Sequence, residues 1–566
     1  MVKKVIVVGG NAGGASAAAR VRRLDERAQI TIFEKGSAIS YSNCSLPYHL
    51  DGTIADAADI VLLTPTELKA QYNITAHLNA EVTAIDATAK TVTVTNLRSG
   101  KRTTHPYDDL ILAPGATPIV PQLPGADSTH VFTVRDVPDI DRLASYLTNH
   151  HIRHVAVVGA GFVGLELTEH LVNANYAVSL IEAQSHILAN FDDDFVQVLH
   201  KELIDHKVDL HTGVAVASVE ADHVTLADST QVPAEAVIFA IGVRPNTSLA
   251  TASGVTLGET GAIAVGRHYQ TNLPHIYAIG DAIEVTNTIT HQKTRQNLAY
   301  QAQLQARIVA DYLYGRDDQP ISTQGSQVLP LFTLNAAATG LSEAAAQAAG
   351  IDTRIAEIIP KDKVPLMPGA KPLRLKVVFR YPDGQLLGAQ AIGASQVDKQ
   401  IDIIATAIHF HGTVSDLPAL DLAYQPEFAT AKNAVQTAGL VATNILNDEY
   451  HQVPVSAVRG LVEKGATIID TREPAEFAAG HIRGARNIPL SQFRKRLTEI
   501  PTDEPVYLHC LSSQRSYNVV RALVNLGYTN VFNIVGSFLG LSEYEYYHDQ
   551  VSNREPLVDH YRFDLL

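Results

Sequence analysis

His154-Val155-Ala156-Val157-Val158-Gly159-Ala160-Gly161-Phe162-Val163-Gly164 is the stretch whose reading decides the fold. A short apolar run ends in glycines at the G-x-G-x-x-G spacing that turns a strand into a helix N-terminus. Leu165 to Ala174 continues as helix, and Ala177 to Ile181 is a strand ending in Glu182. This order is a dinucleotide fingerprint: Gly159, Gly161 and Gly164 let backbone amides approach a pyrophosphate, and Glu182 accepts from ribose hydroxyls. The acid repels a 2′-phosphate, and Ala183-Gln184-Ser185 offers no arginine to bind one, which favours NADH over NADPH.

A related pattern lies upstream. Lys4 to Val8 reads as a strand, Gly9-Gly10-Asn11-Ala12-Gly13-Gly14 opens the helix Ala15 to Leu24, and the strand Gln29 to Phe33 ends at Glu34. Asn11 stands where the middle glycine belongs. Two fingerprints imply two dinucleotides. Leu110 to Leu112 followed by Ala113-Pro114-Gly115 reads as a crossing between two nucleotide domains, and Val237 to Gly242 as the return. Tyr277-Ala278-Ile279-Gly280-Asp281 resembles a second flavin motif whose aspartate accepts from the ribityl chain.

With these segments in order, residues 1 to about 447 resemble the flavin-dependent pyridine nucleotide-disulfide oxidoreductases. The resemblance implies FAD at the first fingerprint, held by Gly9, Gly10, Ala12, Gly13, Gly14, Glu34, Asn43, Gly280 and Asp281, and NADH at the second. Ala113, Gly115 and Gly242 are cofactor-binding positions at the crossings. It also implies an FAD-binding domain in two parts (1–118 and 244–325), an NADH-binding domain (119–243) and an α+β dimerisation domain (326–447). A homodimer follows, each active site being completed by the partner subunit.

The chain has two cysteines, far apart, which give no disulfide framework and no metal site. Cys44 sits in Ser40-Tyr41-Ser42-Asn43-Cys44-Ser45-Leu46-Pro47-Tyr48, about one element beyond the first fingerprint, with no second cysteine nearby. Its oxidised state is therefore a mixed disulfide, a persulfide or a sulfenic acid. This motif is similar to the single-cysteine branch of the family, which contains coenzyme A-disulfide reductases, persulfide reductases, and NADH oxidases and peroxidases. The oxidases and peroxidases usually carry a histidine at the place of Ala12, so Ala12 leaves the peroxide route without its proton donor.

In the coenzyme A members, substrate contacts fall at positions matching Ser16, Arg20, Arg23, Ser40 and Asn43. Arg20 and Arg23 share a helix face, with Arg22 on the same helix, which suits coenzyme A phosphates. Tyr424, in Tyr424-Gln425-Pro426-Glu427-Phe428, matches the tyrosine that the partner subunit supplies to stabilise a departing thiolate. Val364-Pro365-Leu366-Met367-Pro368-Gly369-Ala370 lacks the family's second tyrosine, and Asn433 replaces a usual aspartate.

Residues 452 to about 560 closely resemble a rhodanese domain, through Asp470-Thr471-Arg472, Gly480-His481-Ile482-Arg483-Gly484-Ala485 and the loop Cys510 to Arg515. The strand Pro505 to His509 delivers Cys510 to that loop, and the helix Ser516 to Leu526 follows it. Amides of such a loop form a nest for an anionic persulfide, with Arg515 adding charge-assisted bonds. Ser513 stands where glycine is usual.

The fold expected is therefore α/β, with two Rossmann-like nucleotide-binding domains, the α+β dimerisation domain and a C-terminal α/β rhodanese domain (452–560). A net charge of -15 disfavours nucleic acid or an anionic membrane as partner, and no apolar run spans a bilayer. Met1-Val2-Lys3-Lys4 leads straight into a strand, so a cytoplasmic location is expected. The function expected is an NADH- and FAD-dependent reductase that acts on coenzyme A persulfide, polysulfide or coenzyme A disulfide through Cys44, with Cys510 handling sulfane sulfur. The alternatives are an NADH oxidase forming a Cys44 sulfenate beside a passenger rhodanese, and a sulfur carrier or redox sensor.

Overall fold

Lys4–Val8 and His154–Val158 are buried from their second residue onward, as strands covered on both faces must be. In the computed structural model each becomes a central strand of a parallel sheet. The structure describes residues 2–317 and 322–563; Met1 and residues 318–321, within the expected segments 1–118 and 244–325, lie outside the described residues. The chain forms two compact units, Met1–Ala183 with Gly213–Thr323, and Gln184–Thr212 with Gln324–Leu566.

In the first unit, one sheet runs in the order Ile276–Ala278, Asp109–Leu112, Lys4–Val8, Gln29–Phe33, Thr75–His77. All its pairings are parallel. A second parallel sheet contains Ala177–Glu182, His154–Val158, Ala236–Phe239 and Val131–Phe132 in spatial order. Each is accompanied by a three-stranded antiparallel sheet, Ala80–Asp86 to Arg102–Pro106 and Val216–Val219 to Gln231–Pro233. The two crossings between the nucleotide sheets run together as an antiparallel ribbon, Ala116–Pro118 against Val243–Pro245.

Both fingerprint helices begin inside their glycine turns, at Ala12 and Phe162, three residues earlier than a reading of the first non-glycine run suggests. The reason is steric: a Cβ on Gly14 would lie 1.9 Å from Gly9 O, and one on Gly164 would lie 1.8 Å from Gly159 O. The last glycine of each turn is thus already a helical residue pressed against the strand end.

The second unit holds a five-stranded antiparallel sheet with the helices Val397–His409 and Ala434–Leu446 packed on it. A second, parallel sheet runs His451–Val453, Val531–Ile534, Val506–His509, Thr467–Asp470, Arg486–Asn487. Residues 184–212, inside the stretch 119–243, pack within this unit. Their helix Asp193–Asp205 lies against the C-terminal helix Ser537–Ser552. Charge explains part of that placement. Lys376 is fully buried, and Asp192, Asp194 and Glu343 lie 3.1, 2.9 and 3.2 Å from its Nζ.

Candidate active site

The residues of the two fingerprints gather at the C-terminal ends of their parallel strands, where such sheets bind nucleotides. At the first, Gly9 has φ +93° and a Cβ there would lie 2.1 Å from Ala113 O; Gly115 (φ +67°) and Gly280 (φ +76°) turn the chain after Asp109–Leu112 and Ile276–Ala278. Glu34 accepts from the amides of Gly10 and Gly36, both at 2.7 Å. At the second, Gly159 and Gly242 take positive φ, and Glu182 accepts from Ala160 N at 2.7 Å. The two acids do the same local work, each bracing the residue after the first glycine of its turn.

Gly161 differs from its neighbours. Its φ is -79° and no atom lies within 4 Å of a Cβ built on it, so nothing in the protein requires glycine there. An open approach at a helix N-terminus fits a pyrophosphate. The first turn has Asn11 instead, whose Nδ2 donates to Asn43 Oδ1 and whose Oδ1 accepts from Tyr41 N at 3.2 Å. The departure from glycine thereby ties the first fingerprint to the cysteine segment.

Cys44 lies in a short 3-10 turn, Asn43–Ser45, and is exposed. Packing around it pushes the thiol up from its ordinary range, the Glu166 charge adds to this, and Arg135 opposes it. Arg135, which the sequence reading passed over, donates from Nη2 to Asp281 Oδ2 at 2.9 Å, and its carbonyl accepts from Asn43 Nδ2 at 3.4 Å. Asp281 is therefore already half engaged by protein.

A cavity of about 450 Å³ is lined by Ser40, four residues before Cys44, and by Ser16, Arg20, Arg23, Tyr72, Tyr300 and Arg307. Asn43 does not line it. The arginines are not equivalent. Arg20 pairs with Asp311, 1% exposed, through Nε and Nη2 at 2.9 and 2.5 Å. Arg307 and Arg316 approach the same carboxylate at 3.5 and 3.6 Å. Arg22 turns inward and donates to the carbonyls of Tyr72, Asp25, Glu26, Ala28 and Asn73. Arg23 lies 5.8 Å over the Tyr72 ring. Several guanidinium groups around one carboxylate leave a net positive wall, suited to phosphate. Tyr300 and Arg307 escaped the sequence reading because they come from the helix Ala299–Leu313, which packs on Ala12–Leu24 from nearly 300 residues away.

In the second unit, Cys510 is buried at the end of Val506–His509. Its amide donates to Ser537 Oγ at 3.2 Å, and its carbonyl accepts from Phe538 N at 3.1 Å. Ser537 thus fixes the thiol loop from 27 residues away, with no signal in the local sequence. Arg515 forms a two-pronged pair with Glu476, both contacts at 2.7 Å. That pair pulls the Glu476 carboxyl down, while Arg515 is pushed up by Glu476 first, with Cys510 contributing. Beneath the loop, Arg472 is fully buried, bonded to Asp470 and to Gly480 O at 2.7 Å, with the Phe538 ring 4.0 Å from its guanidinium carbon. The separate sequence motifs therefore meet under one thiol.

Tyr424 lies in this unit, 49% exposed. Val328, Leu366, Phe410, Phe428 and Leu440 of the same unit are exposed too. Asn433, at the usual aspartate position, caps the helix Ala434–Leu446, its Oδ1 accepting from Val435 N at 2.9 Å. An asparagine does this as well as an aspartate.

Comparison with known proteins agrees with this architecture. Residues 3–306 match the pyridine nucleotide-disulphide oxidoreductase family, residues 329–435 its dimerisation domain, and residues 455–543 the rhodanese-like domain. A coenzyme A disulfide reductase of Staphylococcus haemolyticus (strain JCSC1435) is 31% identical over 445 residues, 78% of this chain and 100% of the relative. The reduced CoADR-RHD of Bacillus anthracis is 37% identical with a TM-score of 0.93, covering 96% of this chain and 98% of that one. An NAD-dependent persulfide reductase from A. fulgidus is 29% identical with a TM-score of 0.90, covering 95% and 99%. The chain belongs to the pyridine nucleotide-disulphide oxidoreductase family, as an FAD- and NAD(P)H-dependent oxidoreductase that carries a C-terminal rhodanese domain.

Proposed function

We propose that the protein reduces the sulfur-sulfur bond of a coenzyme A persulfide with NADH, through Cys44 alone. The observation that carries this reading is the exposed Cys44, with no second cysteine in its unit, four residues beyond Ser40, which lines a cavity walled by Arg20, Arg23 and Arg307. A dithiol relay is impossible there, so the substrate itself supplies the second sulfur. The names of the relatives, coenzyme A disulfide reductase and persulfide reductase, support the same substrate class.

In this reading the Cys44 thiolate attacks the inner sulfur of the persulfide, the S–S bond breaks, and hydrosulfide leaves and takes a proton. A mixed disulfide between Cys44 and coenzyme A remains. FAD and NADH, when bound at the two fingerprints, supply the two electrons that return Cys44 to its thiolate and free the thiol. The sum is persulfide, NADH and one proton giving thiol, hydrogen sulfide and NAD⁺. Arg23 and Arg307 hold phosphates, Ser40 and Asn43 flank the sulfur, and Tyr424 acts on the partner subunit's site in a homodimer. Cys510, with Arg515 and Glu476 beside it, carries sulfane sulfur as a persulfide.

The test is NADH consumption by the purified protein with coenzyme A persulfide, coenzyme A disulfide, polysulfide or oxygen as acceptor. Rapid turnover with persulfide, lost in Cys44→Ser, is expected. Fast oxygen-dependent oxidation that survives Cys44→Ser overturns the assignment.

A further inference from the structure

The segment carrying Cys44 is fastened at both ends to the two fingerprint helices. On its N-terminal side, Asn43 accepts from Asn11, the residue that precedes the helix Ala12–Leu24. On its C-terminal side, a second 3-10 turn, Pro47–His49, brings Asp51 against the helix Phe162–Asn173. There Asp51 Oδ2 lies 2.6 Å from His170 Nδ1, with the two side chains 10% and 8% exposed. Thr53 N donates to the other carboxylate oxygen at 2.9 Å, which fixes the orientation of Asp51. The Tyr48 ring packs on the imidazole with centroids 4.2 Å apart and planes at 51°.

The surroundings are anionic. Tyr48 is held above its ordinary range by burial first, then by Glu166 and Glu169 on the same helix as His170, and by Asp51 on its own segment. Within this cluster the imidazole Nδ1 is the donor that meets the Asp51 carboxylate. A buried pair of this kind, satisfied on both sides, gives a unique arrangement rather than a large gain in stability. Cys44 is coupled to Tyr48 and Asp51 through the two consecutive 3-10 turns, in which Leu46 N donates to Asn43 O at 3.2 Å, His49 N to Leu46 O at 3.1 Å and Leu50 N to Pro47 O at 3.0 Å.

We propose that His170 is a positioning residue for Cys44: through Asp51 and Tyr48 it pins the cysteine segment to the helix whose N-terminus carries Gly159 to Gly164. The thiol and the second nucleotide turn are then held in one register by a single rigid helix. This rests on Cys44 being the reactive thiol, but its test does not depend on turnover.

The experiment is alkylation of the intact, flavin-loaded protein with iodoacetamide from pH 6 to 10. Peptide mass spectrometry reads Cys44 separately from Cys510. His170→Gln and Asp51→Asn each accelerate Cys44 alkylation at pH 7.5 by about 3- to 10-fold, as the segment loosens from the helix and the thiol escapes the packing and the Glu166 charge that raise it. The D51N/H170Q double variant is no faster than either single one, because the two residues act as a unit. The exchanged pair D51H/H170D restores the parental rate. Parental rates in both single variants, or additive effects in the double variant, overturn the proposal. Where H170Q does not fold, the exchanged pair decides: slow alkylation upholds the clamp and fast alkylation overturns it. Abolition of NADH turnover by Cys44→Ser tests the redox reading separately, so either idea can fail alone.

Discussion

Arg374 Nη1 lies 2.6 Å from Glu543 Oε2, while Nη2 of the same guanidinium lies 2.7 Å from Glu357 Oε1, with all three side chains at most 3% exposed. Arg374 and Glu357 belong to neighbouring strands of the antiparallel sheet, and Glu543 to the C-terminal helix. A buried charge triad therefore joins the rhodanese-like domain to the sheet before it. Removing the guanidinium leaves two buried carboxylates with no counter-charge between them, so Arg374→Gln costs about 3 kcal/mol. Guanidinium unfolding should show it. The exposed pair Arg380–Asp383 is the control: Asp383→Asn costs less than about 1 kcal/mol.

Gly161 and Gly164 should separate binding from folding. Gly161→Ala meets open space at an ordinary φ, so the protein folds and its melting temperature is unchanged, while the KM for NADH rises roughly 10-fold as the methyl group intrudes on the pyrophosphate. Gly164→Ala collides with the Gly159 carbonyl and yields little soluble protein.

Arg23 separates substrates. Its guanidinium is engaged by the Tyr72 ring, whereas Arg20 is locked on Asp311. Arg23→Ala should raise the KM for coenzyme A persulfide about 10-fold, or ~1.4 kcal/mol, and leave polysulfide reduction unchanged. Equal losses with both acceptors would show that the cavity does not read the coenzyme A phosphates.

Glu166 predicts a pH dependence. Burial raises its carboxyl to about 7, with Glu169 adding to the effect. The folded value lies above the unfolded one, so the folded state binds the extra proton, and stability falls as pH rises through the window from the ordinary carboxylate value to about 7. Above that window the Glu166 charge opposes ionisation of Cys44. Glu166→Gln should flatten the stability profile between pH 5 and 8 and speed alkylation of Cys44 at pH 8 by about 3-fold.

Ser513 caps the helix Gln514–Asn525 with φ +74°, in the left-handed region. Its Oγ contacts Ile534 O and Ser537 Oγ, both at 3.2 Å. Ser513→Ala keeps the strain and loses these bonds, a cost of about 1 kcal/mol. Ser513→Gly loses the same bonds but relieves a strain of similar size, and thermal unfolding should find it close to neutral.

Periodicity made the strands and both fingerprints legible, because a buried parallel strand followed by a glycine turn leaves a local record in the chain. The two cysteines are conspicuous in a chain of 566 residues. The helices begin three residues earlier than the local pattern indicates, since the last glycine of each turn is made helical by its contact with a strand end, which sequence does not display. The helix face carrying Arg20 and Arg23 was also legible, but the role of each arginine was not. Asp311, from a distant helix, claims Arg20 and leaves Arg23 on the cavity.

The sequence by itself determined the order of the domains, the two nucleotide turns and the isolation of each thiol, because these depend on residues close together in the chain. Only the tertiary structure decided what surrounds the thiols. Arg135 on Asp281, His170 on Asp51, Ser537 on Cys510 and residues 184–212 packed among the strands of the second unit are pairings across long separations. They are held by burial, hydrogen bonding and charge compensation across the fold, and no local pattern of residues encodes them.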